Sequence, residues 1–215
     1  MNKNYVVSFP ASGNHLTRFF IELLSERPTK GTGNIKDVEL YNNTYLEDIP
    51  FNIEKGSTDY IFYKCHSPIN NVNKLIFLVR NPKEVITKNS EYKFLPDYYD
   101  SYFRLLDYFN NYKGDKILFF YEDILLNKKN FVKRLYSFLD IKKENKLEYC
   151  LQHVEKLFYL SANGDNRAWG GQNSNGELNL YWDKCSDELK SKMEIFLNNK
   201  KQTNLYNELF NYYNI

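Results

Sequence analysis

Three sets of residues able to do chemistry stand directly behind short apolar runs in this sequence. Behind Val6–Phe9 come Pro10, Ala11, Ser12, Gly13, Asn14 and His15; behind Tyr60–Lys64 come Cys65 and His66; behind Leu75–Val79 comes Arg80. A polar turn that opens a helix presents backbone N–H groups and the positive end of the helix dipole, which together attract an anion. Ser12 and Asn14 add short polar donors there, and Gly13 permits a close turn. A histidine titrates near neutral pH and can take up a proton, while an arginine is a permanently charged, planar fork suited to phosphate. The plainer explanations are a βα turn capped by Ser12 or Asn14, and a salt bridge from Arg80 to Glu84 or Glu122. For the loop taken alone the two readings stand level.

Such residues need elements to hold them. The runs Tyr5–Phe9, Tyr60–Lys64, Leu75–Val79 and Ile117–Tyr121 are apolar at consecutive positions, the pattern of strands buried on both faces of a parallel sheet. Leu16, Phe19, Phe20, Leu23 and Leu24 repeat with helical period and predict a helix, with Arg18 and Glu22 on its other side at i, i+4 spacing. Further helical patterns run from about Pro82 to Lys88, Asp97 to Tyr112, Lys128 to Leu139, Glu144 to Leu157, Asp187 to Leu197 and Leu205 to Tyr213. Strands with intervening helices predict an α/β fold with a central parallel sheet flanked by helices. In such a sheet ligands lie beyond the strand C-termini, where Ser12, His66, Arg80 and Tyr121 would gather. The polar segments 26–59 and 161–178 are too long for ordinary connections, and segments of that length usually cover a site.

Composition narrows the classes. A chain of 215 residues with 42% hydrophobic, 26% charged and 17% aromatic residues suits one globular domain spanning residues 1–215. The net charge of +2 supplies no global field for DNA or RNA, so an anion site must be local. Cys65, Cys150 and Cys185 are odd in number and lack a CxxC pair, which suggests neither a disulfide framework nor a zinc site. The apolar runs are too short for a signal peptide or a membrane span, so a soluble, cytoplasmic protein is expected.

Read together, four segments resemble the sulfotransferases that use 3′-phosphoadenosine 5′-phosphosulfate (PAPS). "FPASGNHL" resembles that family's Y-P-K-S-G-T-T-W loop, which wraps the 5′-phosphosulfate. "YKCHSP" is similar to its K-T-H-x-P segment, "LIFLVRNPKEVITK" to its V-x-R-N-P-K-D-V element, which holds the 3′-phosphate, and "ILFFYEDIL" to its Y-E-D-L strand end. The segments occur in the family's order over roughly the first 125 residues. The resemblance implies a P-loop NTPase-like sulfotransferase architecture and direct, metal-free transfer of a sulfuryl group from PAPS to a hydroxyl of a small molecule or carbohydrate. Adenosine 3′,5′-bisphosphate (PAP) would be the product. It implies His66 as general base, Lys64 near the sulfuryl group, Ala11, Ser12, Gly13, Asn14 and His15 around the 5′ end, Arg80 and Lys88 at the 3′-phosphate, and Tyr121 near the nucleotide.

The departures matter. The family's loop lysine corresponds to Ala11, which brings neither charge nor donor; Lys64, His15 or Lys30 are the cations that could partly substitute. The loss of one such donor can cost on the order of 2.7–4 kcal/mol of transition-state stabilisation. A silent PAP-binding protein is therefore an alternative. An ATP-dependent small-molecule kinase is a weaker one, since the Walker lysine is missing. Lys88 stands where the family has a serine and can still bind phosphate. Arg167 in "NRAWGG" faintly echoes a late family loop as a second 3′-phosphate ligand. The aromatics of residues 97–112, among them Tyr98, Tyr99, Tyr102, Phe103 and Phe109, are expected to pack mostly against the sheet.

Overall fold

The computed structural model describes residues 2–32, 49–50, 52–54, 56–89, 95–163, 181–201 and 206–215. The strands are β1 (Lys3–Ser8), β2 (Thr29–Lys30), β3 (Phe62–Cys65), β4 (Val72–Val79) and β5 (Asp115–Phe120). The helices among the described residues are α1 (Asn14–Ser25), α2 (Pro82–Asn89), α3 (Pro96–Asn111), α4 (Tyr121–Leu126), α5 (Lys128–Leu139), α6 (Glu144–Gln152), α7 (Val154–Asn163), α8 (Asp187–Lys201) and α9 (Asn207–Tyr213). None is long and apolar enough to cross a membrane. The chain forms two compact units, one of Met1–Val79 with Lys113–Asn179 and one of Arg80–Tyr112 with Leu180–Ile215.

The first unit holds the sheet, in the order β2-β3-β1-β4-β5 with every pair parallel. All strand C-termini therefore share one edge, and the flanks of β1 there are the place where an open parallel sheet takes its ligand. Helix α1 is buried on every side from Thr17 to Ser25, because Phe20 meets Phe131 of α5 at 5.8 Å and Phe158 of α7 at 5.0 Å between ring centroids. Fully burying a phenylalanine side chain contributes about 1.5–3 kcal/mol, so this stack holds α1 against α5 and α7.

The periodicity sets Arg18 and Glu22 opposite the apolar stripe of α1, and both are fully buried. The short edge strand β2 lies over them. Arg18 Nε donates to Thr29 Oγ1 at 2.7 Å, Thr29 N donates to Glu22 Oε1 at 3.1 Å, and the Thr29 hydroxyl donates to the same carboxylate oxygen. Buried charges persist only when bonded in this way. The helix expected from Glu144 to Leu157 is two helices, interrupted at His153, whose ring packs on Tyr149 at 4.6 Å. The strand expected to reach Tyr121 stops at Phe120; Glu122 and Asp123 favour a helix start by facing its positive end.

The second unit is helical. Asn81 caps α2, its Oδ1 accepting from Lys83 N at 3.0 Å with Pro82 at the first helical position. Within this unit the α3 aromatics pack on the C-terminal segment: Phe103 meets Phe196 at 6.0 Å, Tyr206 at 4.8 Å and Phe210 at 6.2 Å. Tyr102 Oη donates to Arg80 O at 2.7 Å and so fixes the backbone just after β4.

Candidate functional site

The turn between β1 and α1 is built from backbone conformation. Ala11 (φ 65°) and Gly13 (φ 92°) have positive φ and Ser12 between them does not, an alternation of the kind found in anion-binding nests. Gly13 caps α1 without any side-chain hydrogen bond, so neither Ser12 nor Asn14 is the cap that the plainer sequence reading allowed. Glycine is required there for a second reason. A Cβ at Gly13 would lie 2.7 Å from Tyr121 Cδ2, so the buried Tyr121 ring, at the start of α4, presses directly on the turn.

Ser12 is fully buried, and its Oγ has no hydrogen-bond partner among the described residues. A buried hydroxyl left in that state is costly, and a bound anion would satisfy it. Asn14 behaves differently from the donor expected of it. Its Nδ2 donates to Val6 O and to Ser8 Oγ, both at 3.2 Å, so both side-chain donors tie the turn back to β1, and its buried Oδ1 has no hydrogen-bond partner among the described residues.

Beyond the end of β3 stand the candidate base and its neighbour. His66 Nδ1 donates to the Ser8 carbonyl oxygen at 2.6 Å. A carbonyl only accepts, so the ring proton is on Nδ1 and Nε2 is the basic nitrogen. Burial pushes its pKa down from 6.5 to about 4; the Ser8 bond opposes that fall, and the Lys64 charge adds to it. Cys65 Sγ donates to Ser67 O at 3.3 Å, shaping the turn that carries His66. Lys64 is 6% exposed and its Nζ lies 3.3 Å from His15 Nε2. Ser12, Gly13, Asn14, His15, Lys64, His66 and Tyr121 thus all belong to the first unit.

Arg80 and Lys88 belong to the second unit, which the chain enters at the Val79–Arg80 bond. Arg80 is fully buried. Its guanidinium carbon lies 5.8 Å from the Tyr181 ring centroid and Lys88 Nζ lies 5.2 Å from the same ring. Glu84, one expected salt-bridge partner of Arg80, instead accepts the backbone N–H groups of Tyr181 and Trp182. Arg167 lies outside the described residues. Sequence reasoning missed Tyr181 and the Ser8 carbonyl. No motif marks Tyr181, and a main-chain oxygen has no residue-type signal at all.

No protein-family model matches the chain. No curated protein matches it in sequence. Solved structures do match in fold. Retinol dehydratase in complex with androsterone and the inactive cofactor PAP aligns over 92% of this chain and 80% of its own, with a TM-score of 0.56 and 14% identity. The mouse sulfotransferase SULT7A1 complexed with PAP aligns over 97% and 84%, with 0.51 and 16%. Retinol dehydratase with retinol and PAP aligns over 92% and 80%, with 0.52 and 16%. At these identities the likeness is one of architecture: the chain has the α/β sulfotransferase fold, a five-stranded parallel sheet flanked by helices.

Proposed function

We propose that this chain binds PAPS and transfers its sulfuryl group to a hydroxyl of a small molecule or carbohydrate, residues 1–215 working as one sulfotransferase-like domain. The observation that carries this reading is the turn at residues 11–14, where φ alternates in sign at Ala11, Ser12 and Gly13 and the buried Ser12 hydroxyl is unsatisfied, in the unit that also holds a histidine of fixed tautomer. The PAP held by the structurally similar sulfotransferase and retinol dehydratase supports it. The androsterone and retinol held by retinol dehydratase make small alcohols the first acceptors to try.

Bound PAPS supplies an activated sulfuryl group on a phosphate leaving group. Ser12 Oγ and the N–H groups of residues 11–15 grip the 5′ end, with Gly13 allowing the approach and Tyr121 bracing the turn from behind. His66 Nε2 takes the acceptor's proton as the acceptor oxygen bonds to sulfur, while Nδ1 stays bonded to Ser8 O. Lys64 offsets charge at the sulfuryl group. Arg80 and Lys88, with Arg167, are assigned to the 3′-phosphate on their charge and on the sequence resemblance.

Ala11 favours a second reading, a silent PAP-binding protein. Sulfuryl transfer from 35S-labelled PAPS to a panel of small alcohols and sugars, before and after Ala11→Lys, decides between the two. Labelled product supports transfer. Tight PAP binding with no product from either protein supports the silent binder.

A further inference from the structure

The turn lacks a cation at Ala11, but a buried one stands nearby. Lys64 is paired with Val6 in the sheet register and is almost wholly buried, and its Nζ meets Nε2 of His15, the second residue of α1. An ammonium has three donors and no acceptor, so Nε2 accepts and the His15 ring proton is on Nδ1.

We infer that His15 is a positioning residue: it holds the flexible Lys64 side chain so that its ammonium serves the phosphosulfate turn as the cation absent at Ala11. The inference rests on the proposed function. When the acceptor oxygen bonds to sulfur, its proton passes to His66 Nε2, the S–O bond to the 5′-phosphate breaks, and the electron pair stays on the phosphate oxygen. Lys64, steadied by His15, is the cation that offsets this growing charge. A lysine on a four-carbon stem is a mobile point charge unless something holds it, and transition-state stabilisation needs a charge already in place.

The test uses the full chain. In 15N-labelled protein, His15 should carry its ring proton on Nδ1, and Lys64→Met should shift its Nε2 signal; a proton on Nε2 overturns the inference without any turnover being measured. PAP affinity is read by calorimetry, and conversion of PAPS to PAP and sulfate is read with water as the acceptor. His15→Ala should slow conversion about tenfold, as loss of a preorganised charge does, while PAP affinity stays within about threefold. His15→Gln keeps an acceptor oxygen for Lys64 and should slow it less. Ala11→Lys should raise the rate of His15→Ala by a larger factor than it raises that of the wild type.

Equal factors in the two backgrounds, or His15→Ala converting PAPS at the wild-type rate, overturn the inference and leave the proposed function standing. A wild type that binds no PAP overturns the proposed function itself. A wild type that binds PAP and converts no PAPS overturns the inference, and the acceptor panel with Ala11→Lys then decides on the silent binder.

Discussion

The His66 ring is fixed by Ser8: Nδ1 donates to the main-chain oxygen at the end of β1, 2.6 Å away, across the parallel pair that β1 makes with β3. A side chain that follows one strand thereby reads the end of the next, and Nε2 is left as the nitrogen that can take a proton. His66→Ala is expected to lower sulfuryl transfer by about 10²–10⁴-fold, the usual worth of a positioned general base. PAP affinity, measured by calorimetry, should change little. A comparable loss of PAP affinity contradicts the base assignment.

The same residue predicts two pH effects. Folded His66 stays neutral down to about pH 4, whereas the unfolded chain protonates it near 6.5. Between those values the unfolded state binds more protons, so stability falls as pH drops from 6.5 to about 4. His66→Gln should flatten that part of a denaturation-versus-pH curve. Because an anion in the turn opposes the Lys64 charge, the acid limb of kcat should lie at higher pH than that of kcat/KM.

Ser12→Ala should move stability and binding in opposite directions. Removing a buried, unsatisfied hydroxyl relieves the apo protein by up to about 1–3 kcal/mol, while losing a hydrogen bond to a charged group costs the complex about 1.5–3 kcal/mol. Thermal denaturation should show an equal or higher Tm. Calorimetry should show PAP binding weaker by about ten- to a hundredfold. Loss of both points to a structural role for Ser12.

Gly13→Ala places a methyl group against the Tyr121 ring and a side chain at φ 92°. It should destabilise the chain by more than about 1 kcal/mol in urea, since the backbone conformation and the contact both oppose it. Tyr121→Leu in the same chain should recover the part due to the ring. Absence of any recovery means the backbone alone accounts for the cost.

Thr29→Val keeps the volume of the side chain but deletes the hydroxyl between Arg18 and Glu22. Both charges are fully buried, so loss of that link should cost about 1–3 kcal/mol in denaturant unfolding. This network also marks the limit of the sequence. The apolar stripe of α1 is legible because Phe19, Phe20, Leu23 and Leu24 recur with helical period. For Arg18 and Glu22 the sequence shows only that they lie opposite that stripe, because their partner strand is two residues long, too short to carry a pattern of its own.

The strand ends that carry Ser12, His66 and Arg80 were legible because consecutive apolar residues announce buried parallel strands. Tyr121 was legible as a position at the turn, yet it belongs to the helix after the strand, a boundary that a run of apolar residues cannot mark. Asn14 and Ser12 are equally good donors on paper. Only the fold shows the Asn14 amide donors turned back to β1 and the Ser12 hydroxyl left unsatisfied.

Calorimetric titration of PAP and of ATP into the wild-type chain tests the central claim most directly. The account predicts that PAP binds more tightly than ATP without added metal, and that Arg80→Met weakens PAP binding more than ATP binding. Tighter binding of ATP, or no binding of PAP, would contradict it.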